Sequence, residues 1–278
     1  MSLATRPTVP PHTHWHLEDV PFHAIDGRRI ASDTFYFDLL VSASFVEITT
    51  ELYTHNLIEY FEGDDNLQNW LRTQWLPEEM QHGHALRRYV AAVWPAFDWE
   101  VAYRGFYADY ARFCKTELLG PTRGLEMAAR CIVETGTASL YTMLYRASPE
   151  PVLRELAKRI RTDETYHYQR FHEAFLRYRE EEGLPRHAIL RTVFGRIREI
   201  DSEDAYFAFK HAYRARCADG DFDAAYRQFS RQARRLARVH YPYRMAVHMG
   251  LKPLALPDAV RRLTEPMVRA ATRYLLSR

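Results

Sequence analysis

The sequence contains two copies of a Glu-x-x-His motif, one formed by Glu79 and His82 and the other by Glu164 and His167. Both copies lie in stretches with helical periodicity. Residues three apart on an α-helix occupy the same face, so each motif presents one carboxylate and one imidazole in the same direction. A single copy is common by chance. Two copies, each preceded by an acid at a matching position, indicate helices that pack side by side around shared ligands.

Each motif follows an acidic residue on an earlier helical stretch, Glu51 in the first half and Glu134 in the second. Glu51 precedes Glu79 by 28 residues and Glu134 precedes Glu164 by 30, with a turn midway in each case. At a rise of 1.5 Å per residue, Glu51 and Glu79 both lie roughly 18–21 Å from the turn between them. The pattern predicts two antiparallel hairpins that form a four-helix bundle, with all four acids at one level.

This arrangement predicts a carboxylate-bridged site for two metal ions. Four carboxylates mixed with two imidazoles suit iron or manganese better than zinc, which takes fewer ligands, or calcium, which takes only oxygen ligands. A redox-active pair of iron ions, as Fe²⁺ or Fe³⁺, is therefore expected, with manganese as a substitute in vitro. The predicted ligands are Glu51, Glu79, His82, Glu134, Glu164 and His167.

Residues near these ligands provide one alternative ligand and two supporting groups. Glu47 lies one turn before Glu51 on the same helical face, and the distance to the turn favours Glu51. Asp163 and Glu78 each precede a ligand glutamate and cannot share its direction. We expect these two acids to orient the ligand histidines by accepting the second ring N–H.

Length and composition are consistent with one large helical domain. The chain has 278 residues, of which 47% are hydrophobic and 14% aromatic, enough for a substantial core. No apolar run approaches the roughly 20 residues of a membrane span, and the first residues lack a signal-peptide pattern. The cysteines, Cys114, Cys131 and Cys217, are scattered and odd in number. These features predict inert thiols and a soluble, cytoplasmic protein.

Proline and glycine positions divide the chain into three segments. Residues 1–30 contain four prolines and four histidines, which predicts an irregular arm. Residues 31–185 form the predicted helix bundle. Residues 186–278 form a predicted helical extension that packs on the bundle.

Helical periodicity sets the expected boundaries within these segments. Asp65 is the predicted N-cap of the second helix, and Pro77 should bend that helix beside the metal site. The third core helix should begin at Gly120 and Pro121. The predicted bundle and connecting helices cover residues 32–60, 65–93 and 103–119. Those of the extension cover residues 187–199, 202–218, 222–248 and 257–276.

Charge is unevenly distributed along the chain although the net charge is only +2. Residues 186–278 carry 19 Lys and Arg against 9 Asp and Glu, whereas residues 1–185 carry 19 against 27. A basic surface attracts acidic partners, and the segment has no recognisable nucleic-acid-binding motif. An acidic carrier protein is the expected partner, and a solvated arginine-rich face is the alternative. The candidate docking residues are Arg231, Arg234, Arg235 and Arg238.

The motifs resemble those of the soluble acyl-[acyl-carrier-protein] desaturases, which belong to the ferritin-like di-iron carboxylate group. The second-helix motif of that family is similar to the run Trp75-x-x-Glu78-Glu79-x-x-His82-Gly83. The fourth-helix motif is similar to Asp163-Glu164-x-x-His167, the third to Glu134-x-x-Thr137, and the first, more loosely, to Glu51 with Thr54. The resemblance covers roughly residues 40–175. The chain departs from it at Pro77 and looks shorter than the plant members.

The resemblance implies an all-α, ferritin-like four-helix bundle with additional C-terminal helices, and a homodimer. It also implies a di-iron centre that takes electrons from a ferredoxin-type donor, activates O₂ and introduces a cis double bond into a chain on acyl carrier protein. Thr137 would then act in proton delivery, and Trp75 would lie just outside the ligands. Candidate residues for an acyl channel are Tyr141, Met143 and Leu144, for which ordinary core packing is the alternative.

Two other functions remain open at the level of sequence. A di-iron oxygenase or N-oxygenase acting on another small molecule would use almost the same ligands. Some N-oxygenating relatives carry a further histidine one turn before the fourth-helix glutamate, where this chain has Ile160. A non-enzymatic ferritin-like iron-binding protein is the other alternative, although such storage proteins are generally shorter and assemble into cages.

Overall fold

The computed structural model describes residues 14–199 and 204–277, and every regular element in that part of the chain is helical. This confirms the all-α bundle expected from the sequence. The first half contains α1 (Thr34–Ile48), α2 (Thr50–Tyr60), α3 (Asp65–Trp70), α4 (Leu76–Val93), α5 (Trp99–Tyr110), α6 (Arg123–Ala147) and α7 (Pro151–Glu181). The second half contains α8 (Arg186–Glu199), α9 (Asp204–Arg216), α10 (Phe222–His240), α11 (Tyr243–Leu251) and α12 (Asp258–Ser277). The first part of the predicted arm, residues 1–13, lies outside the described residues.

Two helical hairpins make up the bundle, as the ligand spacing predicts. In the first hairpin α1 packs against α4, and in the second α6 packs against α7. Side-chain caps fix three of the helix starts, because Asp64, Thr122 and Glu150 each accept a backbone N–H from the first turn of α3, α6 and α7. The N-cap of the second helix is therefore Asp64, one residue before the predicted Asp65.

The first bundle helix is interrupted at Thr49, which separates α1 from α2. The Thr49 hydroxyl donates to the carbonyl oxygens of Phe45 and Val46 at 2.9 and 2.8 Å. Leu52 then donates its N–H to Thr49, three residues back, instead of four. This three-residue hydrogen bond interrupts the α-helical pattern between α1 and α2. The sequence analysis expected one continuous helix over residues 32–60.

The second bundle helix contains a π-helical turn, Leu71–Trp75, between α3 and α4. Pro77 lies in the first turn of α4 directly after it. A proline has no N–H to donate to the residue four positions back, and a π turn changes the hydrogen-bond pattern at that point. The irregularity expected from Pro77 is therefore a π turn, which inserts one extra residue into the helix. The insertion rotates every later side chain about the helix axis, relative to its direction in a regular α-helix.

Three predicted helix boundaries differ from the structure, and two of them lie beside a proline, Pro121 and Pro242. The connecting helix is α5, followed by the short 3₁₀ turns Ala111–Phe113 and Thr116–Leu118. The third core helix starts after Thr122, beyond Pro121, and not at Gly120. The predicted helix over residues 222–248 is two helices, α10 and α11, because Pro242 lies between them.

The C-terminal helices surround the bundle. Helix α9 packs on α1 and α5, α8 packs on α6, and α10 and α11 also contact α6. The ring of Phe209 on α9 is buried and lies 4.7 Å from that of Phe229 on α10. Burial of one such side chain is worth roughly 1.5–3 kcal/mol. Within the two described stretches, no helix has both the length and the apolar character that a membrane crossing requires.

Candidate metal centre

Six buried side chains from four helices converge between the two hairpins. They form two overlapping groups, and in each group the donor atoms all lie within 4.8 Å of one another. Glu79 and Glu164 belong to both groups, which is the position of a bridging carboxylate. The first group consists of Glu47, Glu79, His82 and Glu164, and the second of Glu79, Glu134, Glu164 and His167.

Each histidine is oriented by an acid on the opposite hairpin. His82 on α4 donates from Nε2 to Oδ2 of Asp163 on α7 at 2.8 Å. His167 on α7 donates from Nε2 to Oε2 of Glu78 on α4 at 2.7 Å. In the neutral imidazole, which is the form that binds a metal, these bonds place the ring proton on Nε2, so the Nδ1 lone pair faces the other donors. Asp163 and Glu78 therefore lie where the sequence analysis placed them, and their hydrogen bonds cross between the helices.

The donor atoms that face the middle of the cluster lack hydrogen bonds. Within the described part of the chain, Oε1 of Glu79 and Glu164 and Nδ1 of His82 and His167 are buried without a hydrogen-bond partner. Nδ1 of His167 is only 2.9 Å from Oε1 of Glu79, and Nδ1 of His82 is 3.3 Å from Oε1 of Glu164. Neither contact has hydrogen-bond geometry. Leaving a buried polar atom unpaired costs about 1–3 kcal/mol. These four atoms therefore have the properties expected of ligands that face a bound cation.

The electrostatics of the cluster also favour bound cations. Burial, together with the neighbouring Glu164, raises the pKa of Glu79 and of Glu134 well above the usual range. Burial alone would lower the pKa of His82, but the neighbouring carboxylates of Asp163, Glu164 and Glu47 together outweigh burial and raise that pKa. Four carboxylates in one buried space repel each other, and two divalent ions would neutralise them.

Glu47, and not Glu51, supplies the first-helix carboxylate of this cluster. Glu47 is 5% exposed, and its Oε2 lies 3.8 Å from Nδ1 of His82. Glu51 is exposed to solvent. The expectation that Glu51 joins the other donors is therefore wrong, because it assumed an unbroken helix. The interruption at Thr49 separates the two glutamates, so they do not share one helical face.

Three residues on α6 face the cluster at successive turns. Glu134 contributes a carboxylate, with its Oε2 3.8 Å from Nδ1 of His167. The Thr137 hydroxyl donates to Oε2 of Glu164 at 2.6 Å. The fully buried Tyr141 donates its hydroxyl to Oε1 of Glu47. Tyr141 thus fixes a carboxylate of the cluster, a role that the sequence analysis missed. Its spacing of i, i+3 and i+7 with Glu134 and Thr137 was the available signal.

Close packing of α1 against α4 brings Glu47 near His82. Gly83 follows His82, and a Cβ atom at position 83 would lie 2.4 Å from Cγ1 and 2.8 Å from the backbone nitrogen of Ile48. The absence of a side chain at Gly83 therefore permits the approach of the two helices.

Trp75 is 2% exposed, and its ring meets that of His167 edge to face at 6.5 Å. This apolar wall limits the access of water to the imidazole.

The other predicted residues lie away from the cluster. Leu144 belongs to the hydrophobic core, ten residues or about 15 Å along α6 from Glu134, and Met143 is half-buried. The structure does not bring either residue to the six donors. The arginines of α10 are exposed, on the face opposite the core-packed Phe229 and Leu236. These exposed residues are Arg231, Arg234, Arg235 and Arg238.

Comparison with known proteins does not assign a family to the chain. No protein-family model matches the sequence, and a search of curated proteins finds no relative. The arrangement of buried glutamates and histidines, which could hold a metal, is therefore the basis for assigning a function.

Proposed function

We propose that this protein is an O₂-dependent di-iron oxidoreductase that desaturates an acyl chain carried on acyl carrier protein. The observation that carries the proposal is the pair of overlapping donor groups that share Glu79 and Glu164. Buried acids are rare without a partner, and their unpaired oxygen atoms face unpaired imidazole nitrogens. A surface network of ion pairs has neither of these properties.

The donor chemistry supports iron or manganese over other metals. Structural zinc sites are usually four-coordinate, and calcium takes only oxygen ligands, whereas this cluster offers four carboxylates and two imidazoles. When bound, a pair of irons supplies the redox chemistry needed to reduce O₂ and to oxidise an unreactive C–H bond. The residues that would hold the two metals are the members of the two donor groups, which share Glu79 and Glu164: Glu47, Glu79, His82, Glu134, Glu164 and His167.

Thr137 is the residue proposed to handle a proton at this centre. Its hydroxyl donates to Oε2 of the bridging Glu164 and is close to the Glu134 carbonyl oxygen at 3.2 Å. A hydroxyl can accept a proton and pass on its own, so Thr137 can transfer protons without becoming charged. The side chain is half-buried on the same face as Glu134. It is thus next to the carboxylates of the cluster.

The overall reaction requires an external electron donor. Desaturation removes two hydrogens from adjacent carbons, and full reduction of O₂ to two waters takes two further electrons and two protons. A ferredoxin-type protein is the proposed source of the electrons. The exposed arginines of α10 support an acidic acyl carrier as the other partner, because charge complementarity speeds association of such proteins.

Reduction and product analysis would test this function. The protein is loaded with Fe²⁺ without oxygen, reduced, mixed with acyl carrier proteins bearing chains of different lengths, and exposed to O₂. We expect mass spectrometry to show an acyl chain that has lost two hydrogens. A gain of one oxygen atom would instead indicate an oxygenase. No change with any acyl carrier, together with O₂ consumption, would contradict the substrate proposed here.

Matched variants connect that reaction to the cluster. Glu164→Gln removes a proposed bridging carboxylate and should abolish O₂ consumption. Glu51→Gln changes an exposed glutamate near the same site and should retain full activity. Equal activity in both variants would rule out the cluster as the reaction site.

A further inference from the structure

The N-terminal arm, defined here as residues 14–33, contacts both acids that orient the histidines. Nδ1 of His14 lies 2.7 Å from Oε1 of Glu78. The indole N–H of Trp15, the next residue, donates to Oδ2 of Asp163 at 2.6 Å. Two consecutive residues of the arm therefore bond acids that belong to different hairpins.

These contacts lead to different histidines of the proposed metal centre. Glu78 uses its other oxygen, Oε2, to accept from His167. Asp163 uses the same Oδ2 to accept from both Trp15 and His82. His14 is thus connected to the donor group of His167, and Trp15 to that of His82.

Packing holds this part of the arm in place. Trp15 is 6% exposed, and its ring lies nearly parallel to that of His82, with 7° between the planes and 6.2 Å between the centroids. Gln81 on α4 donates its side-chain amide to the Trp15 carbonyl oxygen at 2.9 Å. The guanidinium of Arg159 on α7 lies 5.9 Å from the indole centroid. The arm is thereby attached to both helices that carry a Glu-x-x-His motif.

The arm also limits access of water to the outer side of the centre. A cleft of about 380 Å³ lies between the arm and α7, and its lining includes Trp15, Lys158, Arg159 and Asp163. Asp163 is only 1% exposed although it forms part of this lining. Displacement of Trp15 would open the cleft onto Asp163, and water would then compete for the hydrogen bond with His82.

We propose that His14 and Trp15 are positioning residues that retain the two metals by holding Glu78 and Asp163 against the ligand histidines. The proposal rests on the metal centre described under the proposed function. Groups that orient a metal-binding histidine typically change metal affinity by 10- to 100-fold when they are altered. Because each arm residue connects to a different histidine, each should govern mainly one of the two ions.

Iron release from the 278-residue chain tests this proposal without measuring activity. The protein is loaded with Fe²⁺ alone under anaerobic conditions, and release is followed after addition of the colorimetric chelator ferrozine. Trp15→Phe retains an aromatic ring beside His82 but removes the N–H, whereas His14→Ala removes the contact with Glu78. We expect each variant to speed release of one iron about tenfold, at the lower end of the range for loss of the orienting acids themselves, and to leave the other within about threefold. The double variant should speed both.

Two further variants separate positioning from general loosening of the fold. His23→Ala changes an exposed histidine elsewhere on the arm and should release iron at the parental rate. His14→Gln keeps a side-chain donor and should restore most of the retention that His14→Ala loses. The His14 side chain is 55% exposed, so its replacement should leave the circular dichroism spectrum unchanged.

The possible results distinguish this proposal from the proposed function. If every variant releases both irons at the parental rate, the role of the arm is refuted and the metal centre is left intact. Equal acceleration of both irons in each single variant would also refute it, because that is the behaviour of a loosened fold. A parental protein that binds no Fe²⁺ would refute the metal centre itself.

Discussion

The two hairpins contribute almost equivalent donors to one centre, but their helices differ in regularity. In the second hairpin, α6 and α7 are continuous over 25 and 31 residues. In the first hairpin, one helix is interrupted at Thr49 and the other contains the π turn Leu71–Trp75. Residue counting located Glu134 and Glu164 in the regular hairpin and failed for Glu51 in the irregular one. The comparison shows that a motif within one helical turn is found even in an irregular hairpin, as for Glu79 and His82, whereas counting along a helix to a distant ligand fails where the helix is interrupted.

The largest expected effect contrasts the two acids on either side of the interruption. Glu47→Gln should lower O₂ consumption at least about 100-fold and reduce the bound iron, because it removes a buried carboxylate at one metal position. Glu134→Gln in the regular hairpin should have a comparable effect. Glu51→Gln should remain within about twofold of the parental rate. Oxygen-electrode rates and iron content per chain check these expectations, and a greater loss in Glu51→Gln than in Glu47→Gln would contradict our assignment.

A smaller effect is expected where α1 and α4 approach each other. Gly83→Ala places a methyl group against Ile48 and should reduce the free energy of unfolding by about 1–3 kcal/mol. Gly195→Ala in α8 meets no atom within 4 Å among the described residues and should increase it by about 0.5–1 kcal/mol. Urea denaturation followed by circular dichroism measures both. A neutral Gly83→Ala would show that the irregular hairpin does not depend on this close approach.

The next effect concerns the hydroxyls with which α6 holds the carboxylates. Tyr141→Phe removes the hydrogen bond to Glu47 in the irregular hairpin, and Thr137→Val removes the bond to Glu164 in the regular one. Each bond to a carboxylate is worth about 1.5 kcal/mol, or roughly tenfold in affinity. We expect iron affinity to fall about tenfold in Tyr141→Phe. In Thr137→Val we expect an additional slowing of turnover, which single-turnover kinetics would detect. An unchanged iron affinity in Tyr141→Phe would show that Glu47 is held by helix packing alone.

The smallest expected effect is a dependence of stability on pH that iron suppresses. Burial raises the pKa of Glu79 and of Glu134 above the ordinary value of 4.5. Below pH 4.5 these glutamates are protonated in both folded and unfolded chains. As pH rises above that value, the unfolded chain ionises first and the folded state loses relative stability. We expect the melting temperature of the iron-free protein to fall by a few degrees between about pH 5 and 8, and that of the iron-loaded protein to fall less. Equal slopes would contradict this.

Much of the fold and the centre could be predicted because it depends on local periodicity. The hairpins followed from helical patterns, and five of the six donors, together with Asp163 and Glu78, followed from spacing within single helices. The interruption at Thr49 was not predictable, because threonines also back-bond inside the continuous helices α6 and α7. Only the backbone hydrogen bond from Leu52 to Thr49, three residues back, marks the break. Pro77 indicated an irregularity but not its form. The arm contacts were also beyond prediction, since Trp15 and Asp163 are 148 residues apart and no periodic pattern connects them.

Anomalous diffraction at the iron absorption edge, from crystals of the Fe²⁺-loaded protein, tests the central claim most directly. Our account predicts two peaks between the hairpins, about 3.5–4 Å apart, with Glu79 and Glu164 contacting both and Glu47 contacting one. A single peak, or peaks confined to the protein surface, would contradict the proposed di-iron centre.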